Sequence, residues 1–214
     1  IVDAGNDVAI CLGKTANLVA TGATDYIWSN GTQNAMTSVN PSITTTYTVF
    51  GTKNGCTAKD SVKVTIKTLP TVGISPPTSI CLGQTISIIS TGGNTFLWNN
   101  GMTTSFINVS PTQTTTYTVT VTNLDGCSNT GQTQLTVKKL PTITITPDVT
   151  ICSGQTTNLT ASGGTDYTWS NNETNETISV TPTTTSTYTV TVTNSDGCSD
   201  TKSVKVNVVP SLTA

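Results

Sequence analysis

Apolar and polar residues alternate one by one along much of this chain. The run Tyr117-Thr118-Val119-Thr120-Val121 has a twin in Tyr188-Thr189-Val190-Thr191-Val192. A period of two places alternate side chains on opposite faces of an extended strand. In the central third it predicts strands over 85–89, 96–98, 106–110, 117–121 and 135–137, separated by Gly, Asn, Asp and Pro clusters. No apolar period of 3.6 residues lasts three turns, and Thr-rich β-branched runs disfavour helix further. The expected fold class is all-β.

The pattern recurs three times. Ile10-Cys11-Leu12-Gly13, Ile80-Cys81-Leu82-Gly83 and Ile151-Cys152-Ser153-Gly154 open the copies. Each places a Trp at one fixed spacing after its Cys (Trp28, Trp98, Trp169) and a Tyr at a second fixed spacing after the Trp (Tyr47, Tyr117, Tyr188). Each carries a second Cys after a turn signal, in Asn54-Gly55-Cys56, Asp125-Gly126-Cys127 and Asp196-Gly197-Cys198. Each ends on a Pro, at Pro70, Pro141 and Pro210. A fixed period of this size marks tandem modules. The expected boundaries are 1–70, 71–141 and 142–210, with 211–214 as the start of a following repeat or a tail.

One face of each strand supplies an expected core, Leu18, Val49, Leu135, Leu159, Val190 and Val204 among it. This core surrounds Trp28, Trp98 and Trp169, with Tyr47, Tyr117 and Tyr188 beside them. Two sheets packed over a central Trp describe an immunoglobulin-like sandwich, and the Tyr fits the tyrosine corner of that fold. Three such domains in an elongated array are expected, because X-Pro joints of two or three residues favour extended backbone. Repeat 1 is one residue shorter between Tyr47 and Cys56, and a bulge is expected at Phe50-Gly51.

Six cysteines allow 15 pairings. A module that folds by itself should close its own bridge, which predicts Cys11–Cys56, Cys81–Cys127 and Cys152–Cys198. Bridges in every repeat imply an oxidising, extracellular compartment.

Composition narrows the function. Only 9% of residues are charged, the net charge is −2, and there is neither Arg nor His. Phosphate backbones need clustered cations, so nucleic acid is not an expected partner. No apolar run reaches the roughly 20 residues of a membrane span, so membrane insertion is not expected either. Thr makes up roughly a quarter of the chain and suits half-exposed strands.

Candidate chemistry is sparse. Triads and metal-bound water usually need His. Glu173 and Glu176 share one loop of repeat 3 without counterparts elsewhere, and no catalytic residue is expected. Asp7 and Asp148 are equivalent, as are Asp25 and Asp166, but repeat 2 has Pro77 and Thr95 there, and no calcium-loop signature exists. No metal or cofactor is expected. Tyr26, Phe96 and Tyr167 lie two residues before the Trp, on its face of the strand, and leave little for a sugar platform. The sequons at Asn30, Asn108, Asn158, Asn172 and Asn175 occur about as often as chance gives in so Thr-rich a chain.

The stretch Asp166-Tyr167-Thr168-Trp169-Ser170-Asn171, then Ile178-Ser179-Val180-Thr181-Pro182, then Thr187 to Thr193 and Asp196-Gly197-Cys198, resembles a known repeat. It is similar to the Ig-like/PKD-like modules of very large secreted surface proteins of Bacteroidota, including gliding adhesins, surface filaments and multimodular hydrolases. The resemblance implies type IX export and a place at the cell surface. It carries no catalytic residues. Asp60-Ser61-Val62 likewise resembles the O-glycosylation tripeptide of that group.

The expected function is a non-catalytic structural or adhesive segment of an extracellular filament or adhesin, a disulfide-stabilised stalk. The alternative is a glycan-binding, ice-binding or spacer module of a secreted enzyme, suggested by hydroxyl rows such as Thr116-Thr118-Thr120-Thr122. Expected partners are neighbouring repeats of the same long chain, a homo-oligomeric filament or bundle, and a cell-surface glycan.

Overall fold

A computed structural model describes residues 1–210 of the protein; the 211–214 segment, read above as a following repeat or tail, lies outside the described residues. The described residues are all-β. Repeat 1 holds β1 (Val8–Cys11), β2 (Ala16–Val19), β3 (Asp25–Trp28), β4 (Met36–Val39), β5 (Thr45–Lys53) and β6 (Cys56–Lys67). Repeat 2 holds β7 (Gly73–Ile74), β8 (Thr78–Cys81), β9 (Ile86–Thr91), β10 (Thr95–Trp98), β11 (Phe106–Val109), β12 (Thr115–Thr122) and β13 (Ser128–Lys138). Repeat 3 holds β14 (Thr144–Ile145), β15 (Val149–Cys152), β16 (Thr157–Ser162), β17 (Asp166–Trp169), β18 (Thr177–Val180), β19 (Ser186–Thr193) and β20 (Ser199–Val209).

The strand order is the same in all three. One sheet runs β1-β6-β5-β3, and its counterparts run β8-β13-β12-β10 and β15-β20-β19-β17. The other sheet runs β7-β9-β11 in repeat 2 and β14-β16-β18 in repeat 3; in repeat 1 it is β2-β4, with Asp3 bridging Thr21 at the equivalent edge. Splitting the first strand across both sheets, with one part parallel to the last strand, gives an immunoglobulin-like sandwich. The parallel registers are Val8–Val64 to Cys11–Lys67, Leu135–Thr78 to Lys138–Cys81, and Val149–Val206 to Cys152–Val209.

The chain divides into two compact units. The first comprises Ile1–Ser75, Ile88–Ile107 and Tyr117–Thr133; the second comprises Pro76–Ser87, Asn108–Thr116 and the chain from Gln134. Repeat 2 is shared between them. In the first, Trp28 is buried with Leu18, Val49, Val62 and Val64. In the second, Trp169 is buried with Leu159, Ile178, Val190, Val204 and Val206. Trp98 is buried as well. Each indole N–H donates to a backbone carbonyl six residues on, at Asn34 (3.1 Å), Thr104 (2.9 Å) and Asn175 (2.9 Å). The loop after each Trp thereby satisfies the one polar atom of a large apolar side chain.

Tyr117 is buried, and burial pushes its hydroxyl pKa up. Tyr47 and Tyr188 are half-buried. The hydrogen bond that defines a tyrosine corner is not made by any of the three hydroxyls among the described residues.

The bulge expected at Phe50-Gly51 is also absent. β5 pairs with β6 without interruption, Phe50 facing Lys59 and Gly51 facing Ala58. Gly51 has another cause: a Cβ there would lie 2.5 Å from Val2 Cγ2 and 2.8 Å from Ala23 Cβ. The N-terminal segment occupies that space.

Candidate functional site: the bridged joints

The cysteines pair between repeats. Cys11 is bonded to Cys127, and Cys81 to Cys198, with Cα–Cα distances of 5.6 Å in both; Cys56 and Cys152 are free and exposed. The expected bridges Cys11–Cys56, Cys81–Cys127 and Cys152–Cys198 are all absent. Strand geometry explains why. Cys11 stands opposite Lys67 at the end of β6, whereas Cys56 begins the same strand. Eleven residues at about 3.3 Å each put the two roughly 36 Å apart. A disulfide needs Cα atoms within about 7 Å. Cys81 and Cys127 are separated in the same way along β13, and Cys152 and Cys198 along β20. The two cysteines of one repeat therefore sit at opposite ends of its sandwich.

Each bridge lies within one compact unit and is accompanied by a recurring set of contacts in its joint. In the first unit Lys67 Nζ lies 2.6 Å from Asp125 Oδ1. Asn123 Nδ2 donates to Thr68 O at 2.9 Å, and Asn129 Nδ2 donates to Pro70 O at 3.1 Å. In the second unit Lys138 Nζ donates to Asp196 O at 3.1 Å and lies 3.7 Å from Asp196 Oδ1. Asn194 Nδ2 donates to Lys139 O at 2.8 Å. The ion pairs are substantially exposed and contribute roughly 0–1 kcal/mol each. The covalent bond dominates.

Asn123 and Asn194 organise both sides of these joints. The carbonyl oxygen of each side chain accepts the N–H of the loop cysteine, Cys127 or Cys198, at 3.0 Å. The amide nitrogen of the same side chain reaches the linker of the preceding repeat. Gly126 and Gly197, both at φ 78°, allow the loop to turn. The cysteines are thus held inside the loops 123–127 and 194–198 and are fully buried. Turn geometry alone accounts for Asp-Gly in the sequence but not for the Asn. The signal that marks it is the pentapeptide Asn-x-Asp-Gly-Cys, present in repeats 2 and 3 and missing from repeat 1.

In repeat 1 a two-residue Asn54-Gly55 turn, with φ 53° and 77°, makes Lys53 face Cys56 across the hairpin. Cys56 becomes a strand residue with an exposed side chain. A cavity of about 300 Å³ opens beside it, lined by Ile1, Val2, Gly51, Lys53 and Asn54 among others.

No protein-family model and no curated protein matches this chain. Among solved structures, the I67-I69 immunoglobulin fragment of titin is similar at 13% identity over 98% of both chains, with a TM-score of 0.42. Hemolin, an insect immune protein, is similar at 15% identity over 96% of this chain and 74% of its own (TM-score 0.38). Sidekick-1 immunoglobulin domains 1–5 are similar at 16% identity over 99% of this chain and 59% of theirs (TM-score 0.33). The immunoglobulin-like assignment itself rests on strand order and register.

The other candidate residues serve the fold. Asp7 Oδ1 accepts the N–H of Lys63, and Asp148 Oδ1 that of Lys205, both at 2.8 Å, just before the parallel strands β1 and β15. Asp25 and Asp166 each accept a hydroxyl from the preceding Thr. Asn171 Nδ2 donates to Glu173 Oε1 at 3.1 Å, and Glu176 O accepts the Ala161 N–H at 2.9 Å. No cluster of three metal-ligating side chains occurs among the described residues. Tyr26 OH bonds Ala23, Tyr167 OH donates to Gly164 O, and both rings pack against their cores. Many strand hydroxyls pair with each other: Thr122 with Ser128, Thr193 with Ser199, and Thr189 with Ser203, all at 2.8 Å. Asp60 Oδ2 accepts the Ala4 N–H at 2.8 Å, and this bond, then one from Ser61, holds its carboxyl pKa below the usual value. Among the described residues no helix is long and apolar enough to cross a membrane.

Proposed function

We propose that this chain is a non-catalytic, load-bearing segment of an extracellular surface filament or adhesin, built from immunoglobulin-like modules at 1–70, 71–141 and 142–210. The observation that carries the reading is the overlap of the two disulfide loops, Cys11–Cys127 and Cys81–Cys198. With every sheet pulled open, the shortest covalent route from Cys11 to Cys198 crosses only the overlap, from position 127 back to position 81, and two S–S bonds. Without the bridges it crosses the whole span from 11 to 198. At about 3.4 Å per residue the limits are roughly 160 Å and 640 Å. A tether that cannot stretch far suits a stalk holding another domain away from a surface.

An oxidising exterior suits the bridges, which cytosolic reductants would open. The Bacteroidota-type surface protein and its type IX export remain the preferred origin of this segment. The partners proposed are neighbouring repeats of the same polypeptide. Single-molecule pulling from both ends tests the reading. The extension between positions 11 and 198 should stop at roughly 160 Å and lengthen about fourfold in reductant. Equal extension with and without reductant would refute it.

A further inference from the structure

Cys152 repeats the backbone hydrogen bonds around the two bridged strand cysteines. It faces Val209 in β20 as Cys11 faces Lys67 and Cys81 faces Lys138. The next N–H along, from Leu12, Leu82 or Ser153, donates to the carbonyl of that facing residue at 2.9 Å in all three repeats. The following turn is closed by Lys14, Gln84 or Gln155 donating to the cysteine carbonyl at 3.0 Å. Gln84 Oε1 and Gln155 Oε1 accept the N–H of Cys81 and Cys152 at 2.9 and 3.0 Å. The backbone that presents the sulfur is therefore one device in three copies. In two copies the sulfur is bonded to a hairpin-loop cysteine of the next repeat; in the third it is exposed.

We infer that Cys152 is the open half of a third joint, and that its partner is the loop cysteine of a further immunoglobulin-like repeat following Pro210 in the same polypeptide. This deepens the proposed function and rests on it. The two observed loop cysteines follow the residue that faces the strand cysteine at one fixed offset: Cys127 stands to Lys67 as Cys198 stands to Lys138. The same offset from Val209, which faces Cys152, places the partner in an Asn-x-Asp-Gly-Cys loop of the next repeat. The Asn amide of that loop needs only a backbone carbonyl from the linker, as at Thr68 and Lys139, and Pro210 supplies one. The ion pair is not repeated, because Val209 stands where Lys67 and Lys138 stand in the other joints.

Cys56 of a second copy is a poorer partner. It sits in a strand opposite Lys53 and has no Asn-x-Asp-Gly loop to present it. Bond formation consumes two thiols and needs a disulfide oxidant such as oxidised glutathione. The Cys152 thiolate attacks one glutathione sulfur and expels a glutathione thiolate. The partner thiolate then displaces the second glutathione thiolate from the mixed disulfide. Both electrons pass to glutathione, and the two protons leave to solvent.

The probe is a second copy of residues 69–141 joined after Pro210 of the full preceding chain, so that Pro210 takes the place of Thr68, and oxidised with glutathione. Non-reducing peptide mapping should link Cys152 to the appended copy of Cys127, with alkylation of Cys152 falling at least tenfold relative to the unextended chain. Cys11–Cys127 and Cys81–Cys198 should remain bonded. Cys152 still alkylated while those two bridges persist overturns this inference and leaves the load-bearing reading standing. A covalent dimer through Cys56, or a bridge closed inside the appended copy, overturns it as well. The natural reading frame gives a check independent of folding. A cysteine must stand as far past Val209 as Cys198 stands past Lys138, within one position either way, and its absence refutes the inference.

Discussion

Lys53 and Cys56 face each other directly across the Asn54-Gly55 turn, which is why the first hairpin cysteine is a strand residue and the other two are loop residues. One missing residue changes the exposure of a sulfur from fully buried to open. Alkylation of the unreduced protein should modify Cys56 and Cys152 alone, and all six cysteines after reduction. Intact mass and peptide mapping read this out. A peptide joining Cys11 to Cys56 would contradict the joint described here.

Replacing both Cys81 and Cys198 by Ser removes one bridge without leaving an unpaired thiol. Loops of 116 and 117 residues are near the upper end of disulfide stabilisation in the chain-entropy account, and loss of such a bridge costs about 2–5 kcal/mol. Chemical denaturation should show the loss in the unit that contains that joint. The Cys11–Cys127 bridge should still form.

Asn123→Ala deletes both the acceptor for the Cys127 N–H and the donor to Thr68 O. Two hydrogen bonds at a net 0.5–1.5 kcal/mol each give about 1–3 kcal/mol. Asn123→Asp keeps the acceptor and loses the donor, so it should fall between Ala and wild type. Oxidative refolding should also slow in the order wild type, Asp, Ala, measured as free thiol against time.

Trp169→Ala opens a cavity in a core where Leu159, Ile178 and Val190 are fully buried. A cost of about 3–5 kcal/mol is expected. Trp169→Phe keeps most of the packing but leaves Asn175 O without its indole donor. It should cost less, and the difference between the two variants by urea melts separates packing from hydrogen bonding.

Asp60 gives the fold a defined acid response. Its carboxyl pKa is lowered because the ionised form accepts the Ala4 N–H, and then that of Ser61. A depressed folded-state pKa means the contribution is present above the unfolded value, about 3.9, and is lost as pH falls through the lowered value. Denaturation between pH 5 and 2 should show a stability loss that Asp60→Asn reduces. The N-terminal segment should exchange its amide hydrogens faster at the acid end.

Strand positions and buried residues are legible in the sequence because they need only a period of two. Leu18, Trp28, Val49, Leu135, Leu159, Val190 and Val204 follow from it as core, and all are buried. Ile107 and Ile178 fall outside that expected core, though both are buried on the same alternation, one residue after Phe106 and Thr177, which face solvent. The cysteine partners are not legible from spacing. A repeat tells which residues are equivalent, but not whether a residue meets its own copy's partner or the next copy's. That depends on strand direction. Once Cys11 is placed parallel to the end of β6 and Cys56 at its start, the intra-repeat bridge is out of reach. The edge contacts of the first strand are equally hidden, since Asp60, Gly131 and Lys202 occupy one equivalent position. Asp60 accepts from Ala4, Lys202 Nζ donates to Ile143 O, and a Cβ on Gly131 would lie 2.7 Å from Val72 Cγ1.

Overlapping disulfide loops also decide what a protease can do. A backbone cut anywhere between Cys11 and Cys127 leaves the pieces joined through one sulfur pair, and a cut between Cys81 and Cys198 leaves them joined through the other. The two spans overlap, so one nick at any point from position 11 to 198 severs nothing. Had each repeat closed on itself, the stretches Thr68-Leu69-Pro70 and Lys139-Leu140-Pro141 would have been the places where a single scission sheds everything downstream.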